Sequence, residues 1–249
     1  MRIALEIAYD GTNYHGWQAQ KGCITVQEEI EKALSKILQT KIAIMGCGRT
    51  DSGVHAMQFF LHFDYVGEIH EHFLFRLNQL LPKDIAAYSW IPVTDNFHAR
   101  FQATYRKYIY KVNFVKNPFA ENLSLFLLKE PNVEEMNKAC KILLQHNDFA
   151  SFCKMGSGNK STRCKLMEAE WKFVEPDKTL EFHIKADRFL RNMVRAVVGT
   201  LLQVGDRELA LEDLDNVVES RTRKNAGKSV AARGLYLAEV GYNWDEYRK

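Results

Sequence analysis

The spacing of apolar side chains along this chain switches in blocks between the period of a strand and that of a helix, which restricts it to folds where sheet and helix share a core. Residues 3 to 9 alternate, with Ile3, Leu5, Ile7 and Tyr9 on one face and Ala4, Glu6 and Ala8 on the other, as in a half-buried strand. After the loop YDGTNYHGWQAQKG, Thr25 and Glu28 stand at capping-box spacing. Ile30, Leu34, Ile37 and Leu38 follow at helical intervals and predict a helix over 26–39. A short apolar run from Ile42 to Met45 leads into a glycine-flanked turn, and residues 54–65 read as the strand leaving it. A second amphipathic segment over 72–81 stops at Pro82, and strands are predicted over 84–92 and 98–115. The order through this half is β-α-β-β-α-β-β.

The second half repeats that grammar. A helix is predicted over 133–145 after Pro131, with strands over 165–174 and 179–187 flanking a Glu175-Pro176-Asp177-Lys178 turn. A helix carrying Phe189, Leu190, Met193, Val197, Leu201 and Leu202 follows, then a shorter one over 211–221. Residues 234–242 read as a last strand with Leu235, Leu237 and Val240 buried. No Gly/Ser-rich or Pro-rich linker separates the halves, so one continuous sheet is expected. With 249 residues, 46% of them hydrophobic, the chain suffices for one large unit or two domains.

Composition removes several classes of function. Glu6 and Asp10 interrupt any secretory hydrophobic region, and no apolar run of 18 residues occurs, so the expected setting is the cytoplasm, with no membrane attachment. Five cysteines without a CxxC pair or zinc spacing read as reduced thiols. His55, His62, His70 and His72 form no HExxH or Cys/His cluster, so no metal is expected. The chain lacks the glycines of a dinucleotide loop and the Gly-Lys-Ser/Thr of a P-loop, and neither Ser52 nor Ser157 sits in GxSxG. A net charge of +3 is only mildly basic, so charge distribution decides whether a polyanion is bound.

Three segments carry chemistry. In Gly46-Cys47-Gly48-Arg49-Thr50-Asp51-Ser52-Gly53-Val54-His55-Ala56, glycines at 46, 48 and 53 permit left-handed backbone and close approach to a ligand. Arg49, two residues before Asp51, favours the ionised carboxylate that a nucleophile or general base requires. The same residues also suit an aspartate that merely hydrogen-bonds its own turn. From Phe97 to Lys111 aromatic and basic side chains interleave, with Arg106, Tyr108 and Tyr110 on one strand face, as in a surface that stacks bases and holds phosphates. An ordinary solvated strand has a similar composition. RFLRNMVRAVVGTL places Arg188, Arg191 and Arg195 on one helical face beside an apolar one.

GRTDSGVHA resembles the catalytic signature of the TruA family of tRNA pseudouridine synthases. YDGTNYHGWQAQ with TVQEEIEKAL, FHARF, ATYRKYIY and GLYLAEVGY resemble further segments of that family, in order along almost the whole chain. SGNKST before Cys164 has no match, and SVAARGLYL lacks the proline expected before its Gly-Leu. The resemblance implies an α+β fold of two RRM-like (ferredoxin-like) halves, 1–103 and 104–249. They would form one mixed, mainly antiparallel sheet flanked by helices, with the active-site cleft between the halves and a homodimer whose interface helps form basic RNA channels.

The same resemblance implies isomerisation of uridine to pseudouridine at positions 38, 39 and/or 40 in the anticodon stem-loop of tRNAs, without a cofactor. Asp51 is then the catalytic residue and Tyr108, first of the Tyr-x-Tyr pair, packs on the target uracil. Arg195 lies beside the carboxylate, Arg49 fills the place of the flipped base or holds its phosphate, and Leu235 walls the pocket. Arg100, Arg106, Lys107, Lys111, Arg188 and Arg191, with Arg221, Arg223, Lys224 and Lys228, are candidates for RNA backbone contacts. The rival readings are a noncatalytic RNA-binding module using the aromatic and basic strand, and, further off, a small-molecule hydrolase using Asp51 and His55.

Overall fold

The alternation at the N-terminus becomes β1 (Arg2–Tyr9), with Ile3, Leu5 and Ile7 fully buried, in a computed structural model that describes every residue except Ser157, Asn159 and 175–178. Thr25 caps α1 (Val26–Leu38), its hydroxyl accepting the Glu28 N–H at 3.4 Å, and Gln39 closes the helix in the left-handed region at φ 51°. Val26, Ile30, Ala33 and Leu34 form the buried stripe of α1. The chain continues through β2 (Met45–Gly46), β3 (His55–Asp64), α2 (Phe73–Leu80) and β4 (Ile85–Val93). There follow β5 (Tyr105–Asn113), β6 (Leu125–Phe126), α3 (Val133–Leu143), β7 (Leu166–Val174), β8 (Thr179–Ala186), α4 (Met193–Gly205), α5 (Leu214–Glu219) and β9 (Leu235–Gly241).

These elements gather into two compact units, Met1–Thr104 with Tyr236–Lys249, and Tyr105–Leu235. In the first unit β1 lies between β4 and β3 and is antiparallel to both, while β2 pairs antiparallel with β3. Its order β-α-β-β-α-β is that of a ferredoxin-like unit. The C-terminal strand returns to it: Tyr236 and Leu237 of β9 pair in parallel with His55 and Ala56 of β3. In the second unit β8 runs antiparallel to β5 and to β7, β6 adds a short parallel pairing to β5, and α3 packs on β7 and α4. Tyr110, Phe182 and Trp171 stand opposite one another across β5, β8 and β7, all buried, the last two with ring centroids 5.0 Å apart. Each unit is thus α+β with a mixed, mainly antiparallel sheet flanked by helices, the class expected from the sequence. No helix among the described residues is long and apolar enough to cross a membrane.

Two expectations are corrected. The strand predicted over 98–115 begins at Tyr105, because residues 98–101 form a turn in which the Phe101 and Gln102 N–H groups both donate to the His98 carbonyl at 3.0 Å. The helix predicted to carry Arg188, Arg191 and Arg195 begins at Met193, because Asn192 takes a left-handed conformation at φ 65°. Arg188 and Arg191 therefore lie in the preceding loop and share no helical face with Arg195. The turn expected at 175–178 lies outside the described residues.

Candidate active site

Asp51 occupies the connection between β2 and β3, and that connection is held from several sides. At its start, the Cys47 N–H donates to the Phe60 carbonyl at 2.7 Å and the Gly46 backbone packs on the Trp17 and Phe59 rings so closely that a Cβ has no room. Those two rings stack at 4.0 Å, with Tyr9 beside them. In the middle, the buried Thr50 hydroxyl lies 2.9 Å from that of Tyr9, and the Thr50 carbonyl accepts the Trp17 N–H at 3.2 Å. At its end, the Val54 N–H closes back on the Asp51 carbonyl at 3.2 Å, with Gly53 at φ 75°, a conformation that side chains rarely take. The Ser52 hydroxyl and the Gly53 N–H both donate to the Tyr14 carbonyl, at 3.2 and 3.3 Å.

The loop after β1 is the other half of this arrangement. A Cβ on Gly11 would collide with the Val54 carbonyl, and one on Gly16 with the Thr50 carbonyl, so both positions need glycine for closeness, and Gly16, at φ 87°, for conformation as well. The Gly16 and Trp17 carbonyls in turn accept the Val26 and Gln27 N–H groups, which anchors the loop to the start of α1. His55 is buried below: its Nδ1 receives the Gly11 N–H at 3.1 Å, lies 3.0 Å from the Asp10 carboxylate, and its ring stacks on Tyr236 at 4.6 Å. Burial works to raise the Asp10 carboxyl, but hydrogen bonds from Thr12 and the nearby His55 outweigh it and hold Asp10 below the usual carboxylate range. His55 is thereby committed to fastening the loop. Asp51 itself is half-buried and Arg49 is exposed on the same connection.

The second unit separates the two tyrosines of Tyr-x-Tyr. Tyr110 is wholly buried and donates its hydroxyl to the Ala231 carbonyl at 2.8 Å, and burial pushes that hydroxyl above the ordinary tyrosine range, so it stays protonated. Tyr108 is half-buried, its ring meeting Phe189 edge-to-face at 5.1 Å. Arg195, on the first turn of α4, donates from Nε to the Val230 carbonyl at 2.6 Å while the Val230 N–H returns a bond to the Arg195 carbonyl at 3.2 Å. The loop bearing Val230 reaches the helix because Gly199 and Gly227 meet without side chains and the Gly227 N–H donates to the Thr200 hydroxyl at 2.8 Å. Leu235 is buried at the start of β9.

The basic candidates differ in their partners and in their exposure. Lys107 pairs with Glu168 at 2.8 Å and Lys111 with Glu181 at 3.6 Å, both largely shielded. Arg221 pairs with Asp148 at 2.9 Å. Arg223 spends three bonds on the Ala226 and Gly227 carbonyls and the Ser229 hydroxyl of its own loop. Arg106 is half-buried and reaches the Asp187 carbonyl at 3.2 Å. Arg100, Arg188, Arg191, Lys224 and Lys228 are exposed.

Sequence reasoning missed Tyr9, Gly11, Gly16 and Thr50 as supports of Asp51, since each acts through a partner distant along the chain. It also expected left-handed backbone at Gly46 and Gly48. Of the motif's glycines only Gly53 has positive φ, while Gly46 is required by packing and a Cβ on Gly48 would meet nothing within 4 Å.

The first unit thus presents a half-buried carboxylate on a braced turn, and the second a half-buried tyrosine and exposed arginines. The family described as tRNA pseudouridine synthase matches the chain over residues 6–102 and 139–243. A tRNA pseudouridine synthase A from Azobacteroides pseudotrichonymphae is 45% identical over 246 residues, covering 98% of each chain. Proteins of the same name from Parabacteroides distasonis and Bacteroides fragilis are 44% and 43% identical, each match spanning 97% of this chain and 96% of the relative. The chain belongs to the tRNA pseudouridine synthase family, whose reaction is the isomerisation of uridine to pseudouridine in tRNA.

Proposed function

We propose that this chain converts uridine to pseudouridine at positions 38, 39 and/or 40 in the anticodon stem-loop of tRNAs, with Asp51 as the catalytic carboxylate. The observation that carries the reading is the bracing of Asp51: its neighbours on both sides are hydrogen-bonded into the core, so the side chain projects from a fixed backbone. In the reaction the C1′–N1 bond breaks and a C1′–C5 bond forms, the proton on C5 is lost and N1 gains one, and the detached base rotates in between without leaving the site. Attack of the carboxylate at C6, attack at C1′ and a glycal route all require Asp51 in its ionised form. Nothing is consumed besides the nucleoside itself, and no cofactor enters.

Each remaining residue has a role in this scheme. The target uridine lies in stacked RNA and flips out at a cost of a few kcal/mol. Tyr108 stacks on the uracil, and Arg49, exposed on the catalytic connection, fills the vacated place or holds the flipped phosphate. Arg195, whose Nε donates to the Val230 carbonyl, is the residue that the resemblance to the TruA family assigns to the catalytic carboxylate. Leu235 walls the pocket. Arg100, Arg106, Arg188 and Arg191 take backbone phosphates, whereas the ion pair with Glu168 argues against Lys107 in that role. The anticodon stem-loop, the homodimer and the cytoplasmic setting extend from the sequence resemblance to the TruA family.

The test is site mapping. Transcripts bearing a single uridine at 38, 39 or 40, incubated with the protein without added metal or nucleotide, are expected to gain pseudouridine at one or more of those sites. Conversion confined to uridines elsewhere would reject the assignment of position. A mass measurement in solution checks the dimer.

A further inference from the structure

Phe97 immediately precedes the turn that carries Phe101, and the two have opposite fates. Phe97 is wholly buried among the rings of Tyr242, Trp244 and Tyr247, with centroids 5.4, 5.6 and 5.5 Å away, and His62 meets it edge-on. Phe101 leaves 72% of its surface exposed. That exposure is built in, because the turn is fixed by bonds outside itself: the Ala99 N–H donates to His62 Nδ1 at 3.1 Å, the Tyr242 hydroxyl donates to the Ala99 carbonyl, and the Thr104 N–H donates to the Gly241 carbonyl at 2.8 Å. An anchored turn cannot swing its outer ring inward to recover the lost burial.

The surroundings of Phe101 specify what would cover it. His98 packs against one side with ring centroids 4.2 Å apart, and the Arg100 guanidinium carbon stands 5.7 Å from the Phe101 centroid. Arg100 and Thr104 are exposed and polar, so the ring shares its surface with charged and polar groups. A flat ring packed against a second ring, with a guanidinium over it at 5.7 Å, matches the two parts of a nucleotide: π-stacking for the base and a cation for the phosphate. We propose that His98, Arg100 and Phe101 form a stacking site for an unpaired nucleobase of the bound tRNA, a contact separate from the flipped uridine at Asp51. This rests on the functional reading above.

Phe101→Ala, Phe101→Leu and Phe101→Trp test it, with dissociation constants measured by filter binding to an unmodified tRNA transcript and conversion measured at saturating tRNA. Base stacking on an aromatic side chain makes the Ala and Leu variants bind about ten-fold more weakly, while Trp binds within about two-fold of the parent. Conversion at saturating tRNA stays within about two-fold in all three, because a contact made equally before and during the reaction changes binding and not the rate once tRNA saturates. Wild-type affinity in the Ala variant overturns the inference, and wild-type affinity in the Leu variant replaces stacking by plain apolar contact and overturns it too. If the parent protein converts tRNA and Phe101→Ala binds unchanged, only this inference falls. If the parent neither binds nor converts tRNA, the functional reading falls first.

Discussion

The hydroxyls of Tyr9 and Thr50 lie 2.9 Å apart in the core of the first unit, so the last residue of β1 grips the residue immediately before Asp51. Tyr9→Phe leaves the Thr50 hydroxyl buried without that partner, at a cost of about 1–2 kcal/mol in stability. It also loosens the backbone on which the carboxylate depends. The variant is expected to bind tRNA as the parent does and to convert it about ten-fold more slowly, as single-turnover assays at saturating enzyme would show. An unchanged rate would mean that the turn is fixed without this bond.

The glycines around Asp51 differ in what they tolerate. Gly16→Ala places a Cβ against the Thr50 carbonyl at φ 87°, and is expected to lose at least about 2 kcal/mol and most activity. Gly48→Ala meets nothing within 4 Å and is expected to leave the melting temperature nearly unchanged. Urea denaturation of the two variants gives the comparison directly, and equal losses would refute it.

Salt dependence tests the exposed cations against one held in an ion pair. Neutralising Arg188 or Arg191, both exposed, is expected to flatten the slope of log affinity against log salt by about 0.7–0.9 each. Lys107→Ala is expected to leave the slope unchanged, since Glu168 already holds that ammonium at 2.8 Å. A flattened slope for Lys107→Ala would place it on the RNA after all.

His62 gives the first unit an acid sensitivity. Burial, together with the Arg2 charge, pushes its imidazole down to about 4 from an ordinary 6.5, and its Nδ1 accepts the Ala99 N–H. Between those values the unfolded chain binds a proton that the folded chain refuses, so stability is full above pH 6.5 and falls as pH drops toward about 4. His62→Gln is expected to flatten that fall, read from denaturation midpoints across the same range. A parallel pH profile for variant and parent would assign the acid sensitivity to other groups.

Local features of the fold were legible where a local signal existed. Thr25 with Glu28 marked the start of α1, alternation located β1, and flanking turns located β3, β7 and β8, each within a residue or two. The sequence misled where one backbone dihedral decided the outcome: Asn192 at φ 65° delays α4, so the apparent Arg188, Arg191 and Arg195 stripe never forms. It was silent where partners are distant in sequence. Glycines at 11 and 16 are explained only by the approach of Val54 and Thr50, and Tyr110 becomes structural only once its hydroxyl meets Ala231. Similarly, nothing in the composition of FHARF tells which phenylalanine is caged and which is presented.

The central claim is that Asp51 performs the chemistry and does not serve merely to shape its turn. Pseudouridine mapping on a tRNA bearing uridines at 38, 39 and 40, after incubation with the parent protein or with Asp51→Asn and without metal or nucleotide, tests it most directly. Conversion by the parent, with none by a variant that binds tRNA equally or more tightly, is the result predicted. Conversion by Asp51→Asn at the parent's rate would contradict it.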